Sequence, residues 1–193
     1  SRMDKRENMI TVQNAVKKYG KGENEIYALN HVDLNIGKGD ICVILGPSGS
    51  GKSTLLNMLG GLDSLDEGTI VVDGVDITKL GRKELVEYRR KKIGVVFQSY
   101  NLIAELNVQE NIRVVQDISE NPLPIEELLK DLGLAQHAGH FPTELSGGQQ
   151  QRCAIGRALV KNPALLLCDE LTGALDSVSA RDVLSILEKI NEK

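Results

Sequence analysis

With 193 residues, 41% of them hydrophobic, the chain is long enough to bury one substantial core and reads as a single domain over 1–193. A formal net charge of −4 gives no global basic field of the kind that holds nucleic acid, so DNA and RNA are not expected partners. No apolar run approaches the roughly 20 residues that a membrane-spanning helix needs, so any membrane association is expected to come through another protein.

In chain order, the charged start "SRMDKREN" lacks a signal-peptide core, and "MITVQNAV" and "HVDLNI" alternate as strands do. "ICVIL" (41–45) and "IGVVF" (93–97) are short apolar runs suited to buried strands, and "TIVVDG" (69–74) ends in a turn signal. Helical patterns run from Lys52 to Leu59, Arg82 to Arg90, Ile125 to Leu132, Gly147 to Val160 and Val178 to Ile190. The basic run Arg89 to Lys92 reads as a solvated helix end. Interleaved strands and helices with no internal repeat predict an α/β fold with a largely parallel sheet, and 99–160 reads as a mostly helical lobe. Cys42, Cys153 and Cys168 are odd in number and set among apolar residues, which suits buried thiols in a reducing, intracellular compartment.

The strongest local motif is "GPSGSGKST", 46–54, between the strand "ICVIL" and a helix. Its Gly46, Gly49 and Gly51, with Ser48 and Ser50 between them, let backbone N–H groups converge on phosphate oxygens at a positive helix end. Lys52 reaches the terminal phosphates, Ser53 offers a hydroxyl to Mg²⁺, and Thr54 completes the pattern. A second metal contact comes from "LLLCDE": the apolar strand delivers Asp169 to a loop end, and Glu170 beside it is placed to act as general base on water. Further back, "LSGGQQQR" (145–152) lets Ser146 cap a helix whose first residues, Gly147 and Gly148, leave their N–H groups bare, followed by Gln149. Two phosphate-binding helix ends, 94 positions apart from Lys52 to Ser146, suggest that each completes a pocket with another copy of the chain.

At this point the chain resembles the ATP-binding subunits of ABC transporters, whose fingerprint is a phosphate loop with LSGGQ about twenty residues before the acidic strand. Gln149 and Asp169 are separated by 20 positions. "YALNHVDL", "GPSGSGKSTLLNMLGGLD", "IGVVFQSYNLI" and "TGALDS" look like the branch serving lipoprotein release, macrolide export and antimicrobial-peptide resistance. The resemblance implies a P-loop NTPase core with an N-terminal antiparallel β subdomain and a helical signature subdomain. It also implies ATP and Mg²⁺ as cofactors, an ATP-sandwich homodimer, and a permease partner that holds the protein at the inner face of the cell membrane. Carried over by position, Tyr19 is the aromatic that stacks on adenine, Gln98 the glutamine that senses Mg²⁺, and Asp176 the aspartate that communicates between paired sites.

Two departures from the family's pattern stand out. Leu171 replaces the usual proline after Glu170, which frees the loop's φ. The family's switch histidine follows the acidic strand, whereas His31, His137 and His140 all precede it and read as surface or loop residues. A C-terminally shortened chain with impaired hydrolysis is therefore expected. The alternative is a nucleotide-gated clamp that acts on a membrane partner without transport.

Overall fold

In the computed structural model, which describes residues 8–37, 51–96 and 100–168, the chain divides into two units, Ser1–Arg90 and Lys91–Lys193. The first is built on β1 (Asn8–Tyr19), β2 (Ile26–Gly37), β3 (Glu67–Val72) and β4 (Val75–Asp76), each antiparallel to its neighbours in the order β2-β1-β3-β4. The alternation predicted for the first strand holds only through Ile10 and Val12, which are buried. Asn14 then bulges at φ +50, and the strand is re-phased so that Ala15 and Val16 face the core in succession. Only glycine fits opposite: Gly68 sits at φ +97, and a Cβ there would lie 2.3 Å from the Asn14 carbonyl oxygen. A second bulge at His31, φ +51, brings β2 back into step, with its Nδ1 2.6 Å from Asn14 Oδ1.

The same unit contains α1 (Gly51–Leu59) and α2 (Arg82–Lys92). Met58 and Leu59 are buried at the end of α1. There the carbonyls that every helix C-terminus leaves unpaired are taken up from α2. The Tyr88 hydroxyl donates to Leu59 O at 2.5 Å, and the Arg89 guanidinium donates to Gly61 O at 2.8 Å. The basic run does close a helix, but Arg89 is half-buried and bonded rather than solvated, while Arg90 pairs with Glu87 on the surface.

In the second unit, β5 (Ile93–Val96) and β6 (Leu165–Cys168) form a parallel pair. Ile93, Val96, Leu165, Leu166 and Leu167 are all buried, as parallel strands covered on both faces require. Helices α3 (Val108–Gln116), α4 (Ile125–Asp131) and α5 (Gly147–Leu159) pack around Ile112, Leu128, Leu132, Leu134, Cys153 and Ile155. Burial pushes the Cys153 thiol up to about 11, in line with the inert buried cysteine expected. Asn107 caps α3 through a reciprocal pair with Glu110. Two further N–H groups, of Val108 and Gln109, donate to the carbonyls of His140 and Ala138. The strand expected at 41–45 and the helix expected from Val178 to Ile190 lie outside the described residues, as does Cys42. Among the described residues no helix is long and apolar enough to cross a membrane.

Candidate functional site

In the first unit, Gly51, Lys52 and Ser53 form the first turn of α1, so the phosphate-loop motif runs into a helix as its pattern requires. Gly46, Ser48, Gly49 and Ser50 lie outside the described residues. Thr54, one residue on, is buried. Tyr19 ends β1 with 45% of its surface exposed. Its hydroxyl donates to Asp63 Oδ2 at 3.1 Å, and Lys17 Nζ stands 5.4 Å from the ring centroid. Burial and the Asp63 carboxylate together raise the ionisation point of the Tyr19 hydroxyl. Partial burial works upward on Asp63 too, but the Ser64 N–H, the Tyr19 hydroxyl and the Lys17 ammonium outweigh it and hold its carboxyl below the usual range. A flat, accessible ring is thus fixed by its far end to the segment that follows the phosphate-loop helix. That arrangement suits a stacking platform.

A cleft of about 280 Å³ opens nearby, floored by Met58, Ile70 and Leu85 and rimmed by Asp63, Asp66 and Glu67. Three carboxylates at its rim disfavour a triphosphate there.

In the second unit the start of α5 is fully described. Ser146 Oγ accepts from Gln149 N at 3.2 Å, and Gln149 Oε1 accepts from Ser146 N at 2.9 Å, a closed capping box. Gly147 and Gly148 occupy the first turn, and among the described residues nothing lies within 4 Å of where a Cβ would stand on either. Their N–H groups belong to the four that a helix start leaves without an intrahelical partner, at its positive end. Gln98, Asp169, Glu170, Leu171 and Asp176 lie outside the described residues.

Sequence reasoning missed two supports of this region. The Arg157 guanidinium, on α5, donates to the carbonyls of Tyr100 at 2.7 Å and Asn101 at 2.8 Å, and both residues hold positive φ, +61 and +53. The segment just after Gln98 is therefore clamped to the signature helix. His137 and His140 are half-buried and paired, Nδ1 to Nδ1, at 3.0 Å, and His137 Nε2 lies 3.3 Å from Gln149 Nε2. The spacing His-x-x-His shortly before LSGGQ was the signal available for the pair. Nothing in the sequence marked the Arg157 clamp.

Comparison with known proteins gives the same picture. The sequence pattern of the family described as ABC transporter matches residues 29–173. The ABC transporter ATP-binding protein YtrE of Bacillus subtilis is 43% identical over 96% of this chain and 84% of its own length. The macrolide export ATP-binding/permease protein MacB of Neisseria meningitidis is 41% identical over 95% of this chain, which spans 29% of that longer protein. Among solved structures, the ATP-binding cassette MJ0796 of Methanocaldococcus jannaschii, dimeric and bound to ADP and Pi in a post-hydrolysis state, is 43% identical. It superposes with a TM-score of 0.76, covering 95% of this chain and 83% of its own. A P-loop NTPase fold, a helix that begins inside the phosphate-loop motif, and a capped glycine turn at the start of α5 coincide with these matches: the chain belongs to the ABC transporter family, as an ATP-binding domain.

Proposed function

We propose that the chain binds MgATP and pairs head to tail with a second copy, so that each phosphate loop faces the other copy's α5 start and the pair drives a permease from the inner face of the membrane. The observation that carries this reading is the turn at Gly147 and Gly148. Glycine inside a helix costs about 1 kcal/mol relative to alanine. Among the described residues nothing stands where a side chain on either would, so no packing against them offsets that cost. Bare N–H groups with open space before them suit the terminal phosphate of a nucleotide held elsewhere. The dimeric MJ0796 structure supports the pairing, and the joined ATP-binding and permease functions in MacB's name support the membrane partner.

In this reading Tyr19 stacks on the base, residues 46–54 cradle the phosphates, and Lys52 neutralises the terminal ones. Ser53 stands in the first turn of α1. Val96 and Cys168 pair in register at the C-terminal ends of parallel strands, and the chain leads from them into Gln98 and Asp169. These are hard oxygen donors, fitting for Mg²⁺, so Ser53, Gln98 and Asp169 would hold it; bound, it neutralises developing charge on the phosphates. Glu170 takes the proton of the attacking water, and the rate rests on positioning and charge stabilisation. Asp176 carries the state of one site to the other. A polypeptide of these 193 residues has no histidine beyond His140. Without that preorganised donor its turnover is inferred to be slower by ~10²–10³, and Leu171 leaves Glu170 less firmly aimed. All these residues belong to one ABC-type domain, with 99–160 as its helical lobe.

The test uses Glu170→Gln, which keeps both phosphate sites and removes the base. Sizing chromatography should show it shift to a dimer with MgATP, and adding Ser146→Arg, which crowds the partner's phosphate, should abolish the shift. A doubly substituted chain that still pairs would refute the shared pocket. Separately, calorimetry should show that Lys52→Ala loses most MgATP binding, and unchanged affinity would remove Lys52 from the site.

A further inference from the structure

The capping box of α5 dictates the protonation pattern of two histidines outside it. Ser146 N–H donates to Gln149 Oε1, which turns the Gln149 NH₂ toward His137 Nε2. An amide NH₂ only donates, so His137 Nε2 accepts and His137 keeps its proton on Nδ1. That proton goes to His140 Nδ1, 3.0 Å away, and His140 carries its own on Nε2. Ser146, Gln149, His137 and His140 thus form one directed chain of hydrogen bonds.

We propose that His137 and His140 form a two-imidazole clamp for a divalent late transition-metal cation of the nickel or copper class, and that filling it turns the Gln149 amide and opens the capping box. At metal–nitrogen distances of ~2.0–2.1 Å, two nitrogens 3.0 Å apart subtend about 94° at the ion. That is close to the right angle of square-planar or octahedral coordination, and imidazole nitrogens suit nickel and copper. The backbone keeps the two rings adjacent: His140 N–H donates to His137 O at 2.9 Å, and the rings are tilted at 58° with centroids 4.9 Å apart. Both rings are half-buried, so one side stays open to a hydrated ion. Among the described residues no group of three or more His, Cys, Asp or Glu side chains gathers, so water completes the coordination.

The link to α5 is a matter of proton bookkeeping. The metal takes both Nδ1 lone pairs, so the His137 proton moves to Nε2 while His140 keeps its own, and no net proton is released. His137 Nε2–H then confronts the Gln149 NH₂, donor against donor. Reversing the amide relieves that clash but presents NH₂ to Ser146 N–H, and the box is lost. Any effect on ATP-dependent pairing rests on the role proposed above for the start of α5, but metal binding does not.

The experiment is a titration of the tag-free chain with Ni²⁺ alone, without nucleotide. One saturable ion per chain is expected, with affinity falling at least tenfold in His137→Ala and in His140→Gln and unchanged in His31→Ala. Absence of saturable binding, or equal affinity in both clamp variants, would overturn the site. Hydrogen exchange of the 146–149 amides should quicken when Ni²⁺ saturates the unmodified chain and should not respond in His140→Gln. If Ni²⁺ binds as expected but exchange is unaltered, the coupling to the capping box is wrong. If both effects appear while MgATP never induces pairing, the clamp stands and the pairing proposal fails.

Discussion

At the N-terminal end of α5, Gly147 and Gly148 face open space, whereas Gly156, nearer the other end of the same helix, is pressed against its neighbours. A Cβ on Gly156 would meet Leu132 Cδ1 at 2.5 Å and Ile112 Cδ1 at 3.1 Å, both on fully buried side chains. One glycine is needed for the close approach of three packed segments. Among the described residues nothing packs where a side chain on the other two would stand. On the function proposed above, the contrast separates glycine that serves the fold from glycine that serves a ligand, and it predicts that stability and pairing respond to different ends of one helix.

The packed end predicts the larger losses of stability. Asn111 is fully buried, its NH₂ donates to the carbonyls of Ile103, Leu106 and Asn107, and its Oδ1 accepts from Ile103 N at 2.8 Å. Truncation to alanine orphans several buried groups at once and should cost about 3 kcal/mol in denaturant unfolding. Gly156→Ala should cost about 2 kcal/mol through overpacking, with pairing per folded molecule unchanged. If pairing were lost at temperatures where that variant is fully folded, the division between the two ends would fail. Arg157→Lys offers a single ammonium where a fork now reaches two carbonyls, so it should cost about 1 kcal/mol and speed hydrogen exchange at 100–101. At the open end the sign reverses. Gly147→Ala and Gly148→Ala should each stabilise the chain by about 0.4–1 kcal/mol, since helical φ suits alanine and no neighbour resists it.

Local chemistry was legible in the sequence. Helices 82–92, 125–131 and 147–159 were each read to within two residues, because periodicity and the Ser146 cap are signals carried by adjacent residues. The re-phasing of β1 was not legible. It depends on Asn14, His31 and Gly68, which meet only across three strands. The same holds for Tyr19, whose anchor Asp63 lies 44 positions away, and for His137, whose proton is placed by the amide orientation of Gln149. Asp169 and Glu170 rest on motif pattern alone, and Gln98 and Asp176 on the family resemblance.

The most direct test of the shared pocket is Gly147→Leu in the Glu170→Gln background, followed by unfolding and by light scattering with MgATP. Leucine is a good helix former, and among the described residues its Cβ meets nothing, so the unfolding midpoint should stay equal or rise while the MgATP-dependent doubling of mass disappears. A dimer that survives, or stability and pairing that fall together, would contradict the claim that the start of α5 is kept open for a second copy's nucleotide.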